Sequence, residues 1–142
     1  MNERIIGKKQ LIFLIEDEEG NIFGYYLNTE IVDEYYEWQR TDSNSFLFNL
    51  QSKNNRLKQP MKFEIKDLKY GGIWFIYSSV VALIYLGDIR LMKENYKNQT
   101  CCYQSENWFD YHGIENALCG KEPDENGRMN FTSKRILVIQ MV

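Results

Sequence analysis

Short apolar runs and two-residue alternation, bounded by Gly, Asn, Asp and Pro, organise most of this chain. Leu11 to Ile15 is a continuous apolar run, which predicts a strand covered on both faces. Asp17-Glu18-Glu19-Gly20-Asn21 follows as a hairpin turn, and Phe23 to Leu27 returns. Gly24 inside that strand predicts a bulge or a close approach of another backbone. Ile31, Val32, Tyr35 and Tyr36 recur at helical spacing after Thr29, but residues 28–44 read better as a loop pinned by aromatic anchors, with at most one helical turn. Phe46, Phe48 and Leu50 alternate with Leu47 and Asn49; Met61, Phe63 and Ile65 alternate with Lys62, Glu64 and Lys66. Asn54-Asn55 and Pro60 punctuate the loop between them.

Gly71-Gly72 turns the chain into a nearly unbroken apolar stretch, Ile73 to Leu86, interrupted by Ser78 and Ser79. As a helix, so short a stretch cannot cross about 30 Å of hydrocarbon. It reads as a buried strand, Ile73–Tyr77, followed by a short buried helical turn. Gly87 opens a further strand, with Ile89 and Leu91 on one face and Arg90 and Met92 on the other. Cys101–Tyr103 predicts a short strand and Tyr111–Leu118 a short helix ending near Gly120. Asp124–Gly127 is a turn, and Arg135–Val142 the last strand.

Seven to nine short strands with minor helix predict a mainly β protein, an antiparallel sandwich or barrel. The expected core alternation is Phe46, Phe48, Leu50, Phe63, Ile65, Ile136 and Val138. The length, 142 residues, fits one domain, residues 1–142. Ten Tyr, eight Phe and three Trp favour pleated surfaces, and two Pro with no low-complexity run argue against disorder.

Net charge is −3, which makes no general case for nucleic acid. The charge is uneven: residues 41–70 hold six bases (Lys53, Arg56, Lys58, Lys62, Lys66, Lys69) against three acids. A solvated loop and strand edge is the better reading of that segment. Three cysteines, Cys101, Cys102 and Cys119, are odd in number and include an adjacent pair, so neither a disulfide framework nor a metal site is expected. This usage and the absence of a secretory pattern near Arg4, Lys8 and Lys9 predict a cytoplasmic protein.

The chain contains no phosphate loop, dinucleotide fingerprint or nucleophile elbow. His112 is the single histidine and reads as a surface or packing residue. Cys119, on the same predicted helix, sits about two turns from it, too far to share a proton. Glu16–Glu19 lacks the ligand spacing of a calcium loop and reads as a solvated turn. Cys101 and Cys102 read as buried structural cysteines.

The ordered series Gly20–Tyr26, Trp38, Ser45–Leu50, Met61–Ile65, Gly87–Leu91 and Phe131–Ile139 resembles the TLDc domain of oxidation-resistance proteins, from about Leu11 to Val142. The resemblance implies a two-sheet antiparallel β-sandwich flanked by short helices. It further implies a role in the oxidative-stress response, contact with the vacuolar proton-pumping ATPase, and neither catalytic residue, cofactor nor metal. Family members carry a Gly-rich stretch and an acid before the strand matched by Ile89–Met92. Only Gly87 and Asp88 match here, and they are the candidate binding residues. The helical segment that precedes the first strand in many members is also unmatched. The expectation is that a partner covers the apolar surface left open, unless Tyr35, Tyr36 and Trp38 fold back over it. The expected function is a non-enzymatic protein-interaction module. The alternatives are a cysteine-dependent antioxidant enzyme using Cys101 or Cys102 and, less favoured, a nucleic-acid binder using Lys53–Lys69 with Tyr70 and Trp74.

Overall fold

A computed structural model describes residues 2–32, 39–53, 56–75 and 81–141 of the chain. A four-residue helix, α1 (Asn2–Ile5), precedes β1 (Leu11–Asp17), β2 (Ile22–Leu27), β3 (Phe46–Gln51) and β4 (Met61–Glu64). Then come β5 (Ile73–Phe75), β6 (Ala82–Leu86) and β7 (Ile89–Met92), a 3-10 helix (Glu94–Gln99), β8 (Cys101–Cys102), β9 (Met129–Asn130) and β10 (Ser133–Gln140). They form two five-stranded sheets, ordered β10-β1-β2-β3-β4 and β5-β6-β7-β8-β9, with every pairing antiparallel. This is the two-sheet sandwich that the resemblance implies.

The first hairpin forms because Asp17 organises its turn. Its buried carboxylate accepts the backbone N–H groups of Glu19 and Asn21, both at 2.9 Å, and the Asn21 amide at 2.8 Å. Between the sheets lies one apolar core. Phe13, Ile15, Phe23, Tyr25, Leu47 and Phe63 enter from the first sheet; Ile84, Leu86, Ile89, Leu91 and Cys102 enter from the second. The Tyr25 hydroxyl crosses the core to donate to the Gly71 carbonyl at 2.7 Å. Burial pushes that phenol's pKa well up, so it stays a neutral donor.

Several elements differ from expectation. β1 is covered fully on one face only: Leu11, Phe13 and Ile15 are buried, while Ile12 and Leu14 are half-buried. In β3 the faces are reversed. Leu47 and Asn49 point inward, Phe46 is half-buried, Phe48 is covered on the outer face, and Leu50 is 48% exposed. The reversal has a physical cause: the Asn49 amide is matched inside, donating to the Leu118 carbonyl at 2.8 Å and the Ala117 carbonyl at 3.2 Å. Phe63 is fully buried as expected; Ile65, Ile136 and Val138 are partly buried against the core.

The second half of the 73–86 stretch is strand, not a helical turn, because β6 pairs with both β5 and β7. Residues 111–118 form successive turns without helix. His112 and Asn116 adopt positive φ there, which breaks a helical path. Tyr35, Tyr36, Trp38, Asn54, Asn55, Ser78, Ser79 and Val142 lie outside the described residues.

Candidate interaction face

The outer face of the β10-β1-β2-β3-β4 sheet is apolar across four strands. Register places Ile139, Ile12, Tyr26 and Phe46 in one cross-strand row, and Leu137, Leu14, Gly24 and Phe48 in the next. In most antiparallel sheets one face packs and the other is polar. Here both are apolar, and among the described residues the outer face is exposed toward the β10 side: Leu137 is 41%, Ile139 43% and Met141 49% exposed. A groove of about 720 Å³ runs over it, lined by Ile12, Leu14, Tyr26, Phe46, Phe48 and Met61 among others. Lys62 sits at its rim with its ammonium 4.5 Å from the Phe46 ring centroid.

Gly24 lies beneath Phe48, one of the residues that line the groove. A Cβ there would lie 1.9 Å from the Phe13 carbonyl oxygen and 2.8 Å from Phe48 Cζ. The expected close backbone approach is therefore present, and the absent side chain gives Phe48 its seat. The opposite outer face, on the second sheet, is built differently. There Arg90 lies between Tyr85 and Tyr103, 4.3 and 4.5 Å from the ring centroids.

The TLDc domain family model matches residues 1–80, more than half of the chain. The chain belongs to the TLDc domain family. No curated protein matches it. The TLDc match spans α1 to β5, so four of the five strands of the sheet that carries the apolar face lie within it. Gly87, Asp88, all three cysteines and the last strand lie beyond the matched residues.

In this TLDc chain Gly87 and Asp88 form the β6–β7 turn, and both are buried. Gly87 has φ +57, and a Cβ would lie 2.5 Å from the Phe109 ring, so glycine is required. The Asp88 carboxylate accepts the Ser105 N–H at 2.8 Å and the Tyr111 hydroxyl. Burial raises its pKa, against the lowering effect of those two bonds. The pair thus holds residues 103–111 in place from beneath.

The basic segment is dispersed rather than gathered into a patch. Lys53 pairs with Glu19 at 3.8 Å, Lys66 donates to the Glu106 carbonyl at 2.8 Å, and Lys69 lies over Tyr70. Tyr70 is itself stacked on Trp108 at 5.2 Å. His112 is exposed beside Glu64 and Asp110, and one ligand atom from each lies within 4.8 Å of the others. Its Nε2 is 3.0 Å from the Lys62 carbonyl, so a cation there would compete with that hydrogen bond.

All three thiols are buried and free. Strand alternation sends Cys101 to the outer side of the second sheet and Cys102 inward. Cys119 meets Cys102, not His112: the two sulfurs are 3.3 Å apart. Sequence spacing could not reveal this, because β8 and the turn carrying Cys119 come together only through the fold. Among the described residues, no helix is long and apolar enough to cross a membrane.

Proposed function

We propose that this TLDc chain is a non-enzymatic interaction module of the cytoplasmic oxidative-stress response. Its docking face is the outer face of the β10-β1-β2-β3-β4 sheet, and its partner is a subunit of the vacuolar proton-pumping ATPase. The observation that carries the reading is the pair of apolar rows, Ile139–Ile12–Tyr26–Phe46 and Leu137–Leu14–Gly24–Phe48, in which Leu137 and Ile139 are exposed and Ile12, Leu14, Tyr26 and Phe46 are half-buried among the described residues. Contiguous exposed apolar surface of this kind is characteristic of binding sites. The occupant that fits is an apolar segment of the partner with an acidic residue beside it, because Lys62 stands at the rim. The stress-response role and the identity of the partner come from the family resemblance. Gly87 and Asp88 contribute by holding the 103–111 loop, not by touching the partner.

The nucleic-acid alternative loses ground, since Lys53, Lys66 and Tyr70 already have partners inside the protein. A peroxide-consuming site on Cys101 or Cys102 is also disfavoured. Burial pushes up the Cys101 thiol, and Cys102 is raised both by donating to Cys119 and by burial.

The test is displacement of a hydrophobic dye. The isolated protein should bind the dye, and purified peripheral sector of the vacuolar ATPase should displace it in a saturable way. Absence of dye binding, or a dye signal that the ATPase sector leaves unchanged, would contradict the reading.

A further inference from the structure

We propose that Cys102 and Cys119 are a hydroperoxide-sensitive thiol pair that closes to a reversible disulfide, with Cys119 as the attacking sulfur. Three independent features place the pair. The first is proximity: the sulfurs are 3.3 Å apart, and both lie within 3.8 Å of the Met129 carbonyl oxygen. The sulfurs have to approach by little more than about 1 Å to reach the covalent S–S separation of about 2.05 Å.

The second feature is access. Cys119 lines a surface pocket of about 380 Å³ with Glu19, Asn21, Lys53, Arg56 and Gly120. Cys102 is on the inner face of β8 and does not line it. The two thiols are therefore unequal: both are buried, but only Cys119, at 1% exposure, belongs to the lining of that pocket.

The third feature is an unmatched cation. Arg56 packs directly on the Gly120 backbone: a Cβ at Gly120 would lie 2.5 Å from Arg56 Nε. Its two terminal guanidinium nitrogens are buried with no hydrogen-bond partner among the described residues. Such a cation is costly unless an anion faces it. A thiolate or sulfenate at Cys119 supplies one, and Arg56 acts on it as a positioning residue. Donation from Cys102 and from the Lys121 N–H also lowers the Cys119 pKa, against the raising effect of burial.

The chemistry balances without an added cofactor. The Cys119 thiolate attacks one oxygen of a hydroperoxide; the O–O bond breaks and the alcohol, or water from hydrogen peroxide, leaves after taking up a proton. Cys119 is then a sulfenic acid. Cys102 loses its proton and its sulfur attacks Cys119; the S–O bond breaks and the oxygen departs as water. Two thiols are oxidised to one disulfide while the peroxide is reduced.

Closing this bond links the two sheets. The Cys119 segment is tied to the first sheet by Asn21, which donates to the Cys119 carbonyl at 3.0 Å, and by Asn49. Cys102 belongs to the second sheet.

The test treats the full chain with hydrogen peroxide, quenches it, and counts thiols after denaturation alongside intact mass and peptide mapping. The expected result is a fall from three free thiols to one, a mass lower by two hydrogens, and a Cys102–Cys119 cross-link that a dithiol reverses. Cys101→Ser should form the same cross-link. Cys102→Ser should instead trap a dimedone-reactive sulfenic acid at Cys119, and Arg56→Gln should slow thiol loss several-fold. An unchanged thiol count, a cross-link through Cys101, or oxidation without an intramolecular bond would overturn the proposal.

Discussion

Phe48 lies over Gly24 so closely that a Cβ on Gly24 would stand 2.8 Å from Phe48 Cζ. The aromatic ring fills the space that a side chain on the neighbouring strand would take. The same missing side chain lets the Phe13 carbonyl approach from beneath. Gly24→Ala must therefore push both the ring and the backbone. The expected loss is about 1–3 kcal/mol of stability, the usual cost of overpacking, and the groove should lose dye affinity with it. Urea denaturation and dye titration check this together; an alanine variant as stable as the parent would contradict it.

Asn49 separates hydrogen bonding from hydrophobicity. It is a polar β3 residue that the fold puts inside, and it satisfies the Ala117 and Leu118 carbonyls. Asn49→Leu adds apolar character but leaves those carbonyls unpaired. It should cost about 1–3 kcal/mol despite the gain in hydrophobicity. A neutral or stabilising result in equilibrium denaturation would mean that water or a shift of residues 117–119 replaces the bonds.

Phe63 and Phe46 should differ in how much stability their truncation costs. Phe63 is fully buried, so Phe63→Ala is expected to cost about 3–5 kcal/mol. Phe46 is half-buried on the outer face, so Phe46→Ala should cost distinctly less stability while weakening dye binding. Comparing the two unfolding free energies decides whether the two faces of the sheet are assigned correctly.

Asp88 gives a pH signature. Its native pKa is raised above the ordinary 3.8, mainly by burial. The folded protein then keeps a proton that the unfolded chain has already released, so stability falls as pH rises from about 3.9 toward the raised native value, and levels off above it. Asp88→Asn, whose amide oxygen can still accept from Tyr111 and Ser105, should flatten that slope. Asp88→Ala should lose about 1–3 kcal/mol, because those donors are left unpaired. Urea melts across the acidic range measure both, and an equal slope in the parent and Asp88→Asn would refute the assignment.

Most of the strands were legible because their alternation and turn residues are local signals. The Asp17–Asn21 turn, the β4 alternation and the Ile89/Leu91 face all follow from neighbours in sequence. Which face of β3 points inward was not legible. Both faces are apolar, and the deciding contact, Asn49 to Leu118, spans 69 residues. The 82–86 segment was misread for a related reason, since an apolar run alone does not distinguish strand from buried helix. The thiol pair was hidden because Cys102 and Cys119 approach only when β8 packs under the turn after residue 111. The TLDc membership was legible from the order of short strand motifs, though the family match itself ends at residue 80.

The most direct measurement of the docking face is binding of purified vacuolar ATPase peripheral sector to the parent chain and to a Leu50→Glu/Ile139→Glu variant, by interferometry. Both positions are over 40% exposed, so the charges should leave the fold intact; a matched melting temperature and a Glu125→Lys control on a distant loop verify that. The expected result is saturable binding by the parent and the control, weakened by about tenfold or more in the double variant, a loss of roughly 1.4 kcal/mol or more. Equal binding by the parent and the double variant, or no binding by the parent, would contradict the assignment of the apolar face as the site where the partner docks.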